Sequence, residues 1–564
     1  MVELNPSAQL HDLIEEEWQY RLREDPFFAT QVGDRRYNDR VPSIAAAAEA
    51  QRAAQVEQFL QRLGAIPSAA LDASEQINQQ ILERELSERL AHYRFGAHLM
   101  PLSKMIGPHI FLPDLVLLTP FHSEEDYAAY LSRLSALPGY LQELIDGMRA
   151  GQQRGLVPPR AALAGTETSL QSLAAPGVEQ SVFYQPFLSL PENIPSERRA
   201  ALRQAGEQVL REQVLPAFQR LLDFLTQEYL PSARASIAIS ALPGGEAYYA
   251  FLTRAFTSLE LSPQQVFETG MAEVRRIRQE MESLIRSTGF DGGLQDFLRF
   301  LSQDAQFYAT RPEDLMGRVA LILKRMDGEL PRLFATLPRT PYGLRETPPH
   351  LAPYSTSAYY FPATGDGTTA GYYYVNTYDL ASRPLYEYEA LSFHEAVPGH
   401  HLQLALQQEM TGAPNFRRCT PGTAFVEGWA LYAERLGLEV GFYRDPYSNF
   451  GRLVYEMWRA CRLVVDPGMH CLGWTRQQAI EFMAENTALS RLNIENEVDR
   501  YIAWPGQALA YKIGELKLRE LRAQAEAALG ARFDLRQFHR VLLEEGAIPL
   551  DLVERRLKDW MATF

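Results

Sequence analysis

Residues 391–403 read LSFHEAVPGHHLQ. His394 and Glu395 begin as a zinc peptidase motif does. In H-E-x-x-H, two imidazoles stand four residues apart on one helix with a carboxylate beside them. Catalytic zinc takes about three protein ligands and keeps an open position for water. A neighbouring carboxylate takes the proton of that water. Here position 398 is proline, and the next histidines are His400 and His401. On an unbroken helix a residue six positions along points roughly 240° round the axis. His394 and His400 therefore cannot share a metal without a break. His401 returns to the correct face, but about 10 Å farther along.

Pro398 and Gly399 supply the break. Proline removes a helical N–H and clashes with the carbonyl four residues back, which is that of His394. Glycine lets the chain bulge. Without the pair the motif would be H-E-A-V-H. The expectation is a two-residue bulge that brings His400 to the metal beside His394. His401 is the rival second ligand, and otherwise a substrate-binding residue. Three of the 11 histidines fall in this short stretch.

The third ligand should come from a following helix, and FVEGWALYAERL at 425–436 has that pattern. Glu427 and Glu434 are seven apart and share a face. Glu427, next to Gly428, is the expected ligand. Glu434 is placed to orient a histidine. Two neutral histidines and a carboxylate suit one Zn2+ per chain, and would also accept Co2+ or Mn2+.

These side chains need a scaffold, and the rest of the chain reads as mostly helical. Leu10, Leu13, Ile14, Trp18 and Leu22 recur at helical spacing. Helices are expected over 7–25, 43–64, 70–97, 124–152, 194–229, 262–290, 294–303, 312–334, 475–488 and 507–530. Ser262-Pro263 reads as the N-cap and first residue of one of them. The segment 159–190, with scattered Pro, Gly and Ser, reads as a crossing between helices.

Residues 346–378 are the exception. AYYF and GYYYVNTY read as strands, with Gly365-Asp366-Gly367 as turn chemistry between them. An edge strand can hold an extended peptide through its backbone. GYYYVNTY, with Tyr373 in it, is the candidate, and Asn376 at its end could bond a peptide backbone. The expected organisation is a helical part over 1–345 and a catalytic part over 346–564.

Bulk properties narrow the class. The net charge of −15 argues against a nucleic-acid or anionic-membrane binder. Three cysteines without a C-x-x-C fit a reducing compartment. The first residues lack a basic and an apolar leader region. No apolar run reaches the length that spans a bilayer. A soluble, cytoplasmic protein is expected. G-x-S-x-G, P-loop and G-x-G-x-x-G motifs are absent.

HEAVPGHHLQ, FVEGWALYAERLG, RLVVDPGMHCLGWT and RYIAWPGQALAYKIG, in that order, resemble the bacterial family filed as domain of unknown function 885. The preceding DGTTAGYYYVN resembles it too. The resemblance covers roughly 345–520 and implies a metallopeptidase with His394, His400 and Glu427 as zinc ligands and Glu395 as general base. More remotely it implies the helical, cleft-bearing gluzincin architecture of angiotensin-converting enzyme and the thimet oligopeptidases, though those carry the uninterrupted motif. By that likeness the first part would form one wall of the cleft, with a small sheet beside the active site. Tyr501 would donate to the oxyanion, with Tyr511 as the alternative.

Other polar groups in these motifs could meet a substrate. His470 could steady a carbonyl. A peptidase acting near a C-terminus needs a cation for the terminal carboxylate. Arg459, Arg462, Arg500 and Lys512 are available, with Arg500 and Lys512 preferred. The expected function is hydrolysis of short or unfolded peptides. The alternatives are a zinc amidohydrolase acting on a non-peptide amide, and a peptide-binding protein that has kept the fold without the metal.

Overall fold

The computed structural model describes residues 5–175, 177–349, 352, 355–363, 369–419 and 422–564. It is mostly helical. The backbone divides into two compact units: Met1–Tyr248 with Ile502–Trp504, and Tyr249–Tyr501 with Pro505–Phe564.

The first unit is built of helices whose periodicity is plain in the sequence. Pro6–Glu24, Ala46–Gly64, Ala73–Arg94 and Glu124–Gln153 match the expected spans closely. Ser123 and Asp126 form a reciprocal capping box at the start of the last of these. Its apolar stripe, including Leu134, Leu141 and Met148, packs in one core with Phe183, Phe218 and Tyr229. The 194–229 run becomes Ser196–Val209 followed by helix interrupted by two π-helical turns. The segment 159–190 is not a bare crossing. It holds short helices such as Thr166–Ala174, because Leu170 and Leu173 bury while its Gly and Pro residues keep each piece brief.

The second unit carries every candidate site residue. Its positioning helices are α1 (Pro263–Ser287), α2 (Tyr388–Glu395), α3 (His400–Gln408), α4 (Thr423–Glu439), α5 (Pro446–Cys471), α6 (Arg491–Ala503) and α7 (Ala510–Leu529). The Ser262 side chain caps α1 as expected. Glycines set two close crossings. A Cβ at Gly270 would meet Leu463 at 2.7 Å, so α1 lies tight on α5. A Cβ on Gly428 would meet the Gly514 backbone at 2.5 Å, so α4 and α7 touch backbone to backbone.

Helix α5 contradicts the local reading of its sequence. The span 446–471 is not among the expected helices, and VVDPG holds a β-branched pair and turn-forming residues, yet it is one helix. Nearly all of its second half is buried, and that packing outweighs the breakers.

A three-stranded sheet precedes α2: β1 (Tyr342–Glu346), β2 (Ala358–Phe361) and β3 (Gly371–Val375). The order is β1-β3-β2, with β1 parallel and β2 antiparallel to β3. This corrects the expectation that GYYYVNTY is the edge strand. Its GYYYV portion is the centre, paired on both sides, with Tyr373 and Val375 fully buried. The outer strands are β1, whose YGLRE gives no strand signal, and β2. The turn expected at 365–367 lies outside the described residues.

Candidate metal centre

Helix α2 ends at Glu395 and α3 begins at His400. The connection is a full break in the helix rather than a bulge within it. Ala396 and Gly399 adopt non-helical dihedrals, and the Val397–Pro398 peptide is cis. Gly399 is obligatory there, since a Cβ would lie 2.0 Å from the carbonyl oxygen of His394. Trp429 of α4 donates from Nε1 to the Pro398 carbonyl at 2.9 Å and ties the turn to the core.

The break does what a helical register could not. The His394 and His400 rings lie 4.8 Å apart, nearly perpendicular. Glu427 Oε2 stands 3.8 Å from His394 Nε2 and 3.6 Å from His400 Nε2. One ligand atom from each of the three residues falls within 4.8 Å of the others.

The donor chemistry fits a divalent cation. Glu427 Oε2 is buried and lacks a hydrogen-bond partner among the described residues. His394 Nδ1 lies 2.8 Å from Glu434 Oε1. With a carboxylate there, Nδ1 carries the proton and Nε2 keeps its lone pair for a metal. Two nitrogens and a carboxylate are a common catalytic zinc set. His400 and Glu427 keep partial exposure, as does Glu395.

The electrostatics of the group are set by burial and by the close approach of its own charges. Burial opposes a charged His394 ring, but the Glu427 and Glu434 carboxylates outweigh it and raise the pKa to about 9. Burial and the neighbouring His394 hold His400 down, to about 4. Burial would raise Glu427, yet the two histidines, with help from the Tyr511 hydroxyl, bring it to about 2. Glu395 is pushed up to about 7 by burial, moderated by His394. The backbone N–H of Tyr360 on β2 is among the groups that hold it down.

His401 turns away from this group. Its Nδ1 meets the Tyr360 hydroxyl at 2.9 Å, and its ring packs on Tyr342 at 4.8 Å. Of the rival second ligands, His400 is the one at the cluster.

The other sequence-derived candidates have different settings. The Tyr501 hydroxyl donates to Glu497 at 2.6 Å and accepts from Arg462 at 3.0 Å and Trp458 at 3.2 Å. Tyr511, half-buried on α7, is the tyrosine that acts on Glu427. Tyr373 is wholly buried beside Tyr388 and Glu395, which keep its hydroxyl protonated together with burial. Asn376 is committed to its own loop. Its amide donates to the carbonyls of Ala352, Ser355 and Thr356, and its oxygen accepts from Tyr378 N–H. His470 is fully buried, with Nε2 3.0 Å from the Tyr501 carbonyl.

Lys512 is likewise corrected as a substrate cation. It is inaccessible, held by Glu456 at 2.9 Å, Glu515 at 2.8 Å and Glu273 at 3.0 Å. Arg500 bonds Gln507 and lies 3.7 Å from Glu497. What the sequence did not signal is that Arg462 and Arg500 share one carboxylate, Glu497, at 3.1 and 3.7 Å.

The chain is thus a large, mostly helical protein that brings two histidines and one glutamate together beside a small sheet. The chain belongs to the family described as bacterial protein of unknown function (DUF885), which it matches over residues 26–557. It is similar to the crystal structure of "the putative lipoprotein from Colwellia psychrerythraea", at 28% identity and a TM-score of 0.91, covering 99% of this chain and 100% of that one. It also shares its fold with "a putative lipoprotein of unknown function" from Shewanella oneidensis, at 18% identity and a TM-score of 0.76, covering 98% and 99%. No curated protein matches the chain. Among the described residues no helix is long and apolar enough to cross a membrane.

Proposed function

We propose that this chain is a zinc-dependent metallopeptidase of the gluzincin type, acting on short or unfolded peptides. The observation that carries the reading is the convergence of His394 Nε2, His400 Nε2 and the unpartnered Glu427 Oε2 at one point. Glu434 behind His394 supplies the orienting contact that metal-binding histidines ordinarily have.

Zinc held by His394, His400 and Glu427 would supply Lewis acidity, making water more acidic and polarising a carbonyl. Glu395, with a pKa near neutrality, takes a proton from the attacking water and returns it to the leaving amine nitrogen. Tyr511 donates a hydrogen bond to the carbonyl oxygen as charge develops there. We assign this role to Tyr511 because the Tyr501 hydroxyl is already satisfied. The outer edge of β2, whose Tyr360 N–H acts on Glu395, is suited to align an extended peptide.

The test is metal content by plasma mass spectrometry, for the wild type beside His394→Ala, followed by peptide-library cleavage with chelator and zinc add-back. About one zinc per chain, lost in the variant, with chelator-sensitive cleavage, is the expected result. A wild type that stays empty after dialysis against zinc would sink the reading. A zinc-loaded protein that cleaves simple amides but no peptide would favour an amidohydrolase.

A further inference from the structure

Helix α5 presents Arg459 and, one turn on, Arg462, while α6 brings Arg500 to the same region. Arg462 and Arg500 share Glu497, at 3.1 and 3.7 Å. Arg459 has no such partner. It is only 5% exposed, and among the described residues no carboxylate lies within 4.0 Å of it. Among the described residues its one hydrogen bond runs 3.4 Å to the Tyr455 carbonyl of the preceding turn. Its Nε is buried without a hydrogen-bond partner among the described residues, as is Nη1 of Arg462.

A buried guanidinium without a directly paired anion is costly. The Tyr455 and Trp458 rings, 4.6 and 4.5 Å from the Arg459 carbon centre, offset part of that cost and fix its plane. Arg462 stacks on Tyr511 at 4.3 Å, so the cluster reaches the tyrosine that serves Glu427. The Arg459 charge is felt at Glu395, His400 and Tyr511, and also at the Glu387 and Glu497 carboxylates, neither of which pairs with it within 4.0 Å. The guanidinium fork matches a carboxylate in shape as well as charge.

We propose that Arg459, backed by Arg462 and Arg500, forms a subsite for a substrate carboxylate beside the metal centre. The proposal rests on the peptidase reading. It names the substrate class as peptides carrying a free carboxylate near the cleaved bond, supplied by the C-terminus or by an Asp or Glu side chain.

The test is calorimetric binding to the full-length Glu395→Gln protein, which separates recognition from turnover. The probes are acetyl-Ala-Phe-Ala-Ala as the free acid, the same peptide as its C-terminal amide, and acetyl-Ala-Phe-Glu-Ala amide. The free acid should bind about tenfold or more tightly than its amide. The preference should vanish with Arg459→Gln and survive in part with Arg459→Lys, with folding checked by circular dichroism. If the Glu-containing amide equals the free acid and both exceed the plain amide, either source fills the subsite; if the Glu-containing amide alone exceeds the plain amide, the source is a side chain. If it binds like the plain amide while the free acid keeps its preference, the source is the terminus. Equal binding of all three probes, no binding at millimolar concentration, or a preference that persists in Arg459→Gln would overturn the subsite. Loss of zinc-dependent cleavage alone would strike the peptidase reading while leaving a carboxylate preference in this assay intact.

Discussion

Glu434 Oε1 lies 2.8 Å from His394 Nδ1, and Glu427, two turns earlier on the same helix, faces the other nitrogen of that imidazole. One helix therefore grips one ring from both sides. Replacing Glu434 by Gln keeps a polar contact but removes the charge that fixes the tautomer. Zinc affinity should fall by about 10–100-fold, measured by competition with a chromophoric chelator. Unchanged affinity would remove Glu434 from the centre.

Metal uptake should depend on pH through His394. Its pKa is raised to about 9 by the two glutamates despite burial, so without metal the ring is charged at neutral pH. A metal needs the neutral ring, so binding expels that proton. His400, at about 4, and Glu427, at about 2, are already deprotonated and add nothing. Apparent affinity should rise about tenfold per unit of pH between about 7 and 9 and then level. Calorimetry in buffers of different ionisation enthalpy should find about one proton released per metal at about pH 8.

Glu395→Gln should keep its metal and lose turnover by about 10²–10⁴-fold. The two tyrosines should separate. Tyr511→Phe should lower kcat by about 10²-fold or more with metal retained. Tyr501→Phe should act mainly on stability, because its hydroxyl joins Glu497, Arg462 and Trp458. The reverse ranking in steady-state kinetics would return the oxyanion role to Tyr501.

Gly399→Ala inserts a methyl against the His394 carbonyl. The turn must open, which carries His400 away from His394. A loss of about 3 kcal/mol in denaturant unfolding, together with loss of zinc, is expected.

Lys512→Met should leave Glu456, Glu515 and Glu273 without their shared ammonium. Because the three acids keep Arg276, Arg435, Arg452 and Arg519, the expected destabilisation is about 1–3 kcal/mol, with metal content and the ratio of free-acid to amide binding unchanged in whatever protein folds. A selective loss of free-acid binding would instead return Lys512 to the substrate.

The grouping of His394, His400 and Glu427 was legible because its rules are local and strict. Ligand types, their number, the helical pitch and the Pro398-Gly399 break leave few solutions, and the seven-residue interval of Glu427 and Glu434 places both on one face. Strand order was not legible. GYYYV has the same tyrosine-rich pattern whether central or at an edge, and nothing local marks YGLRE as a partner. Helix α5 was hidden because its breakers are overruled by burial that only the folded chain supplies. The roles of Lys512 and Arg459 depend on which acids α1 and α6 bring near, a matter of packing between segments distant in sequence.

The separation of His394 and His400 onto two helices also changes what selection can adjust. In an unbroken motif the pitch of one helix dictates the distance between the two imidazoles. Here that distance is an independent variable, set by how the turn around Pro398 is seated against Trp429. Substitutions deep in the core, touching neither ligand, can widen or narrow the bite. For the proposed metal site, the choice among zinc, cobalt and manganese would thereby become an evolvable trait of the interior rather than of the ligands themselves.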